Sequence, residues 1–96
     1  MSELKIKGLV RGTTSSGFAF SLPADAADNM ELIDALADAM DDNPVAISRV
    51  CRLFLGDETR KALYDHLRES DGRVPTGAVM DDLKEIFSAF GEAGKN

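Results

Sequence analysis

The spacing of apolar residues along this chain changes period near Pro23. Before it, Leu4-Lys5-Ile6-Lys7 and Phe18-Ala19-Phe20-Ser21-Leu22 alternate apolar and polar residues, the rhythm of a strand with one covered face. Between these runs lies Gly12-Thr13-Thr14-Ser15-Ser16-Gly17, a turn-forming composition. The pattern predicts a short β-hairpin or extended N-terminal arm over residues 1–22. A lone hairpin is marginal in water, so such an arm must lie on the helices or on a neighbouring chain. The alternative is a disordered tail over residues 1–16.

From Pro23 onward the period is helical. Asp28 and Glu31 stand at capping-box spacing, and Ile33, Leu36, Ala37 and Met40 follow as an apolar stripe expected to face the core. Asn43-Pro44 predicts the start of a second helix, with Ile47, Val50, Cys51 and Phe54 on its buried face. Gly56 is expected to stop it. A third helix runs from Asp57 to about Ser70, with Leu63, Tyr64 and Leu67 inward, and Asp71-Gly72 is a turn signal. Val74-Pro75-Thr76 opens a fourth, whose apolar side is Val79, Leu83, Ile86, Phe87 and Phe90. The predicted fold is mainly α: a small domain of about four helices over residues 23–91, preceded by the hairpin or arm, with a mobile tail over 92–96. With 96 residues the chain is one domain overall, with a thin core.

Charge narrows the function. Seventeen acids against eleven bases give a net charge of -6, which disfavours nucleic acid as a partner because phosphate contacts need Lys and Arg. The imbalance is local. No base lies between Arg11 and Arg49, where Asp25, Asp28, Glu31, Asp34, Asp38, Asp41 and Asp42 all fall. The single cysteine, Cys51, precludes an intrachain disulfide and suits a reducing cytoplasm. The N-terminus lacks the apolar core of a signal peptide and no apolar run reaches membrane-spanning length, so no membrane is expected.

Little in the chain can carry a reaction. Cys51 falls on an apolar helix face, and the one histidine, His66, falls on a charged one. Neither has a partner in sequence that would activate it. One Cys and one His make a poor start for a zinc site, and the aspartates have helical spacing rather than that of a calcium loop. No phosphate-binding or dinucleotide glycine pattern occurs. The expectation is no enzyme, no cofactor and no metal.

Two surfaces remain as candidates for binding. Glu31, Asp34, Asp38 and Asp41 recur every three or four residues and form one acidic stripe beside the apolar face of the first helix. Such neighbours repel by about 0.2–0.5 kcal/mol per pair, so a stripe retained at that cost suits a basic partner; a solvated, solubilising face is the alternative. Ile86, Phe87 and Phe90 form a second candidate, with plain core packing as the alternative.

The chain also resembles a family. Phe18-Ala19-Phe20-Ser21-Leu22-Pro23, Asp28-Asn29-Met30-Glu31-Leu32, Leu55-Gly56-Asp57-Glu58, Tyr64-Asp65-His66-Leu67-Arg68, Asp71-Gly72-Arg73-Val74-Pro75 and Glu85-Ile86-Phe87 follow one another in this order. Over residues 17–90 this order resembles the small tail assembly chaperones of long-tailed, siphovirus-type bacteriophages and prophages. The resemblance implies a helical protein that binds the tape measure protein and keeps it soluble while the tail tube assembles. It implies action in the cytoplasm of the bacterial host and absence from the mature virion. Homo-oligomers are also implied, as is a longer frameshifted form that recruits the major tail protein; Gly94-Lys95-Asn96 would then mark the short form. A tape measure segment is a long amphipathic helix, suited to docking in a groove. Two other readings stay open: an acidic DNA mimic that inhibits a DNA-binding protein, and a structural head–tail connector subunit.

Overall fold

The computed structural model describes residues 8–41 and 43–93. Among them the chain forms a two-stranded antiparallel hairpin, β1 (Leu9–Thr13) and β2 (Ala19–Pro23). Three helices follow: α1 (Met30–Met40), α2 (Val45–Leu67) and α3 (Thr76–Ala93). The mainly α class and the hairpin agree with the sequence pattern. The first strand, however, is Leu9–Thr13, and the Leu4–Lys7 alternation lies outside the described residues. Gly12 and Thr13 belong to β1 rather than to the turn, and residues 8–16 are structured rather than a loose tail.

The hairpin register pairs Val10 with Leu22 and Gly12 with Phe20, which sets one face inward. Val10, Phe20 and Leu22 are buried while Leu9, Arg11, Ala19 and Ser21 face out, as the period of two requires. Gly12 leaves room for its cross-strand partner. A Cβ there would stand 3.0 Å from Cζ of Phe20, whose ring lies across the glycine. The connection is Ser15-Ser16-Gly17, with the Thr14 N–H donating to the Phe18 carbonyl at 2.9 Å. Gly17 takes φ 92, the left-handed position that closes a three-residue hairpin loop.

That turn is pinned to α3. The buried Asp82 accepts hydrogen bonds from the hydroxyls of Thr14 at 2.8 Å and Ser16 at 2.7 Å. The Ser15 N–H donates to Glu85 Oε1 at 2.8 Å one turn further along α3. On the other side His66 Nε2 lies 2.9 Å from the Ser16 carbonyl. A carbonyl only accepts, so Nε2 carries the proton. The same imidazole rests on Phe18 with ring centroids 5.6 Å apart. The turn is thus held by α2 and α3 together.

The helical part departs from expectation in count. The expected about four helices become three, because the second and third adjoin at Gly56 with no loop between them, although its non-helical backbone does end the first stretch as expected. Its backbone (φ 78, ψ 173) bends the element, and helix resumes at once on the far side. With no connecting loop, the two expected helices are one kinked one. The inward residues before the kink (Ile47, Val50, Cys51 and Phe54) are all buried, as is Leu63 after it, with Tyr64 and Leu67 half-buried. Asn43 caps the start as expected, its Oδ1 accepting from the Val45 N–H at 3.2 Å. At α1 the cap is Asn29 rather than Asp28, with Oδ1 accepting from the Glu31 N–H at 3.0 Å. At the chain's end α3 continues through Ala93, so residues 92 and 93 are helical rather than part of a tail. Residues 94–96 lie outside the described residues.

The core collects residues of every element around α2. Leu32, Val50, Cys51, Leu63 and Ile86 are its most deeply buried side chains. Phe54 stacks on Phe87 at 4.3 Å between centroids and meets Phe90 edge-on at 5.2 Å. Such pairs add about 0.5–1.5 kcal/mol each beyond the area they bury.

Two changes test this architecture. Asp82→Ala removes two hydrogen bonds to a carboxylate and should lower unfolding free energy by about 3 kcal/mol in urea titrations, whereas Asp81→Ala, one residue along on the exposed side, should cost little. Gly56→Ala meets no steric neighbour within 4 Å, so its cost comes from backbone strain alone. It should destabilise by about 1–3 kcal/mol; an unchanged denaturation midpoint would mean that the kink tolerates an L side chain.

Candidate functional site

The acidic stripe is where the sequence places it. Glu31, Asp34 and Asp38 on α1, and Asp41 at its C-cap, are all exposed. No basic side chain lies in the last turn of α1, and Asp38 and Asp41 sit at the end where the helix dipole is itself negative. Both features cost stability.

The apolar stripe beside it is not where the pattern places it. Leu32, Ala35 and Ala39 are the buried residues of α1, and Leu36 is half-buried. Ile33 and Met40, expected to face the core, are 43% and 78% exposed, and Ala37 is exposed as well. The helix is turned by one residue, about 100°, from its expected setting. Eight of its eleven residues are apolar, so two overlapping stripes satisfy a helical period. The one carrying Ala35 and Ala39 has the smaller side chains and lets α1 come close to α2. Met30, Ile33, Ala37 and Met40 are left as a second apolar stripe facing water, with Met30 68% exposed.

This outer stripe meets a groove. α1 and α3 both pack on α2 and make little contact with each other. The gap between them is a cavity of about 370 Å³. Leu36, Ala39 and Met40 form one wall, Val50 of α2 the floor, and Met80, Leu83 and Phe87 the other wall, with Lys84 and Ser88 the polar lining residues. Met40, on the α1 wall, is exposed to solvent.

The second predicted surface is divided by the structure. Ile86 is fully buried and offers nothing to a partner. Phe87 and Phe90 are half-buried against Phe54, and Phe87 reaches the groove wall. Sequence reasoning also passed over Asp82, although a signal was there. Asp82 stands three residues after Val79 and four before Ile86, so it shares their inward face and needs buried donors.

No reactive arrangement emerges among the described residues. Burial pushes the Cys51 thiol up from its ordinary value, with the Tyr64 hydroxyl and the Arg60 charge opposing. A fully covered thiol of raised pKa is a poor nucleophile. His66 is engaged by the hairpin turn through Ser16 and Phe18. No group of three or more His, Cys, Asp or Glu side chains among the described residues is placed to hold a metal ion. Nor is any helix among them long and apolar enough to cross a membrane. No family model matches the chain, and no curated protein or solved structure matches it either.

The charge arrangement on α1 has a measurable cost. Asp38→Asn relieves repulsion from Asp34 and Asp41 and the clash with the helix dipole. It should raise unfolding free energy by about 0.5 kcal/mol at low ionic strength, and the gain should shrink in high salt. Equal stability of the two proteins at low salt would show that the stripe carries no penalty.

Proposed function

We propose that the chain is a tail assembly chaperone of the long-tailed phage type, a protein that binds the tape measure protein and keeps it soluble in the host cytoplasm. The observation that carries this reading is the outer half of α1. A water-facing apolar stripe (Met30, Ile33, Met40) runs beside an acidic one (Glu31, Asp34, Asp38, Asp41) on the same helix. A folded domain that spends stability on both stripes is built to present surface rather than to run a reaction. The ordered motifs over residues 17–90 support the family reading by resemblance, and the surface offers a means of holding an aggregation-prone helix.

Both stripes matter to the choice between readings. A DNA mimic needs carboxylates alone, and an apolar stripe among them gains nothing from a DNA-binding partner. A connector subunit would persist in purified particles, whereas a chaperone leaves, so mass spectrometry of virions separates these two.

The direct test is capture of the tape measure protein. Asp34→Lys combined with Asp38→Lys should lower co-purification of tape measure protein at least tenfold, with far-UV circular dichroism unchanged. Capture at the parental level would remove the acidic face from the interaction.

A further inference from the structure

We infer that the groove between α1 and α3, continued by the outer stripe of α1, is the seat for an amphipathic helix of another protein whose apolar face is edged with Lys or Arg. This deepens the reading of the chain as a binding protein and rests on it, but does not depend on the partner being a tape measure protein.

Shape selects a helix. The groove runs between two helices, with Leu36, Ala39 and Met40 of α1 on one side and Met80 to Ser88 of α3 on the other, and its floor is the α2 residue Val50. Its lining is apolar apart from Lys84 and Ser88, so it lacks the several convergent polar groups by which a small-molecule site fixes orientation. A helix laid in it presents apolar side chains every three or four residues and satisfies its own backbone.

Charge selects which helix. The α1 wall is edged along its outer side by Glu31, Asp34, Asp38 and Asp41, with no base between Arg11 and Arg49 to neutralise them. A partner edge facing α1 is therefore basic. The opposite wall carries Lys84 with the exposed Asp81 beside it on α3, so the acidic stripe of α1 alone sets the sign of charge required of the partner. It also disfavours a second copy of this chain, because the exposed edge of α1 would meet its own acidic stripe.

Methionine selects tolerance. Met40 and Met80 line opposite walls of the groove and Met30 extends the outer stripe. Unbranched, polarisable side chains repack around different apolar surfaces. Such a seat takes successive, non-identical turns of a long helix rather than one fixed sequence.

The probe is a synthetic amphipathic peptide of about 18 residues. It has Leu on one face, Lys along one edge of that face and Gln elsewhere; a control has Glu in place of Lys. Fluorescence anisotropy at low salt should show binding of the Lys peptide, weakened about tenfold or more in high salt, and no binding of the Glu peptide. Ile33→Gln with Met40→Gln alters exposed positions and should lower affinity for the Lys peptide at least tenfold with circular dichroism unchanged. On the unaltered protein, methyl NMR signals of Met40 and Met80 should shift as the peptide is added. Absence of binding, equal binding of the Glu peptide, or binding that leaves those methyl signals in place overturns the proposal. So does a dimer in sedimentation equilibrium that the Ile33→Gln, Met40→Gln protein no longer forms, which would make a second copy the occupant. Binding of the Lys peptide together with failure to capture tape measure protein would retain the seat and reject the chaperone reading.

Discussion

A buried carboxylate holds this molecule together. Asp82 reaches from α3 to the hydroxyls of Thr14 and Ser16, residues nearly seventy positions earlier in the chain. A two-stranded hairpin has too little ladder and too little apolar face to stand alone. Tied at its turn to α3, and steadied there by His66 of α2, it lays Val10, Phe18, Phe20 and Leu22 over the core. Burial of a carboxylate is unfavourable unless its oxygens find donors, and here the donors come from the element that needs holding. The cost and the requirement cancel in one contact.

With the hairpin covering one side, α2 becomes the axis on which the other elements are arranged. Its kink at Gly56 redirects the second half without a loop, so that Leu63 joins the same core as Val50 and Cys51. α1 and α3 each lie against it and leave a gap between them. The groove is therefore a consequence of how three helices share one axis. Neither flanking helix alone has apolar surface arranged to close it.

Much of this is legible in the chain. The alternation in Phe18–Leu22, the Asn43-Pro44 cap, the buried residues Ile47 to Phe54 and the Asp71-Gly72 turn are local. Each depends on a period or on a backbone preference that a few residues carry by themselves. The acidic stripe is legible for the same reason, since spacing along a helix sets which charges share a face. Other features escape a local reading. A helix end at Gly56 and a new helix from Asp57 are legible, but that no loop separates the two is not a local property. Ile86 and Phe87 are adjacent and equally apolar, yet one is sealed in the core and the other reaches the groove.

The clearest division is in α1. The amino-acid pattern by itself determined that the segment is helical, that one of its sides is acidic, and that more of its surface is apolar than one face requires. It also determined that the chain has one cysteine and one histidine. Only the tertiary structure decided which apolar stripe is buried. The two are a single residue apart, and no local preference separates them. The choice went to the stripe with Ala35 and Ala39, because small side chains let α1 approach α2 closely, and that left Ile33 exposed and Met40 on the wall of a groove.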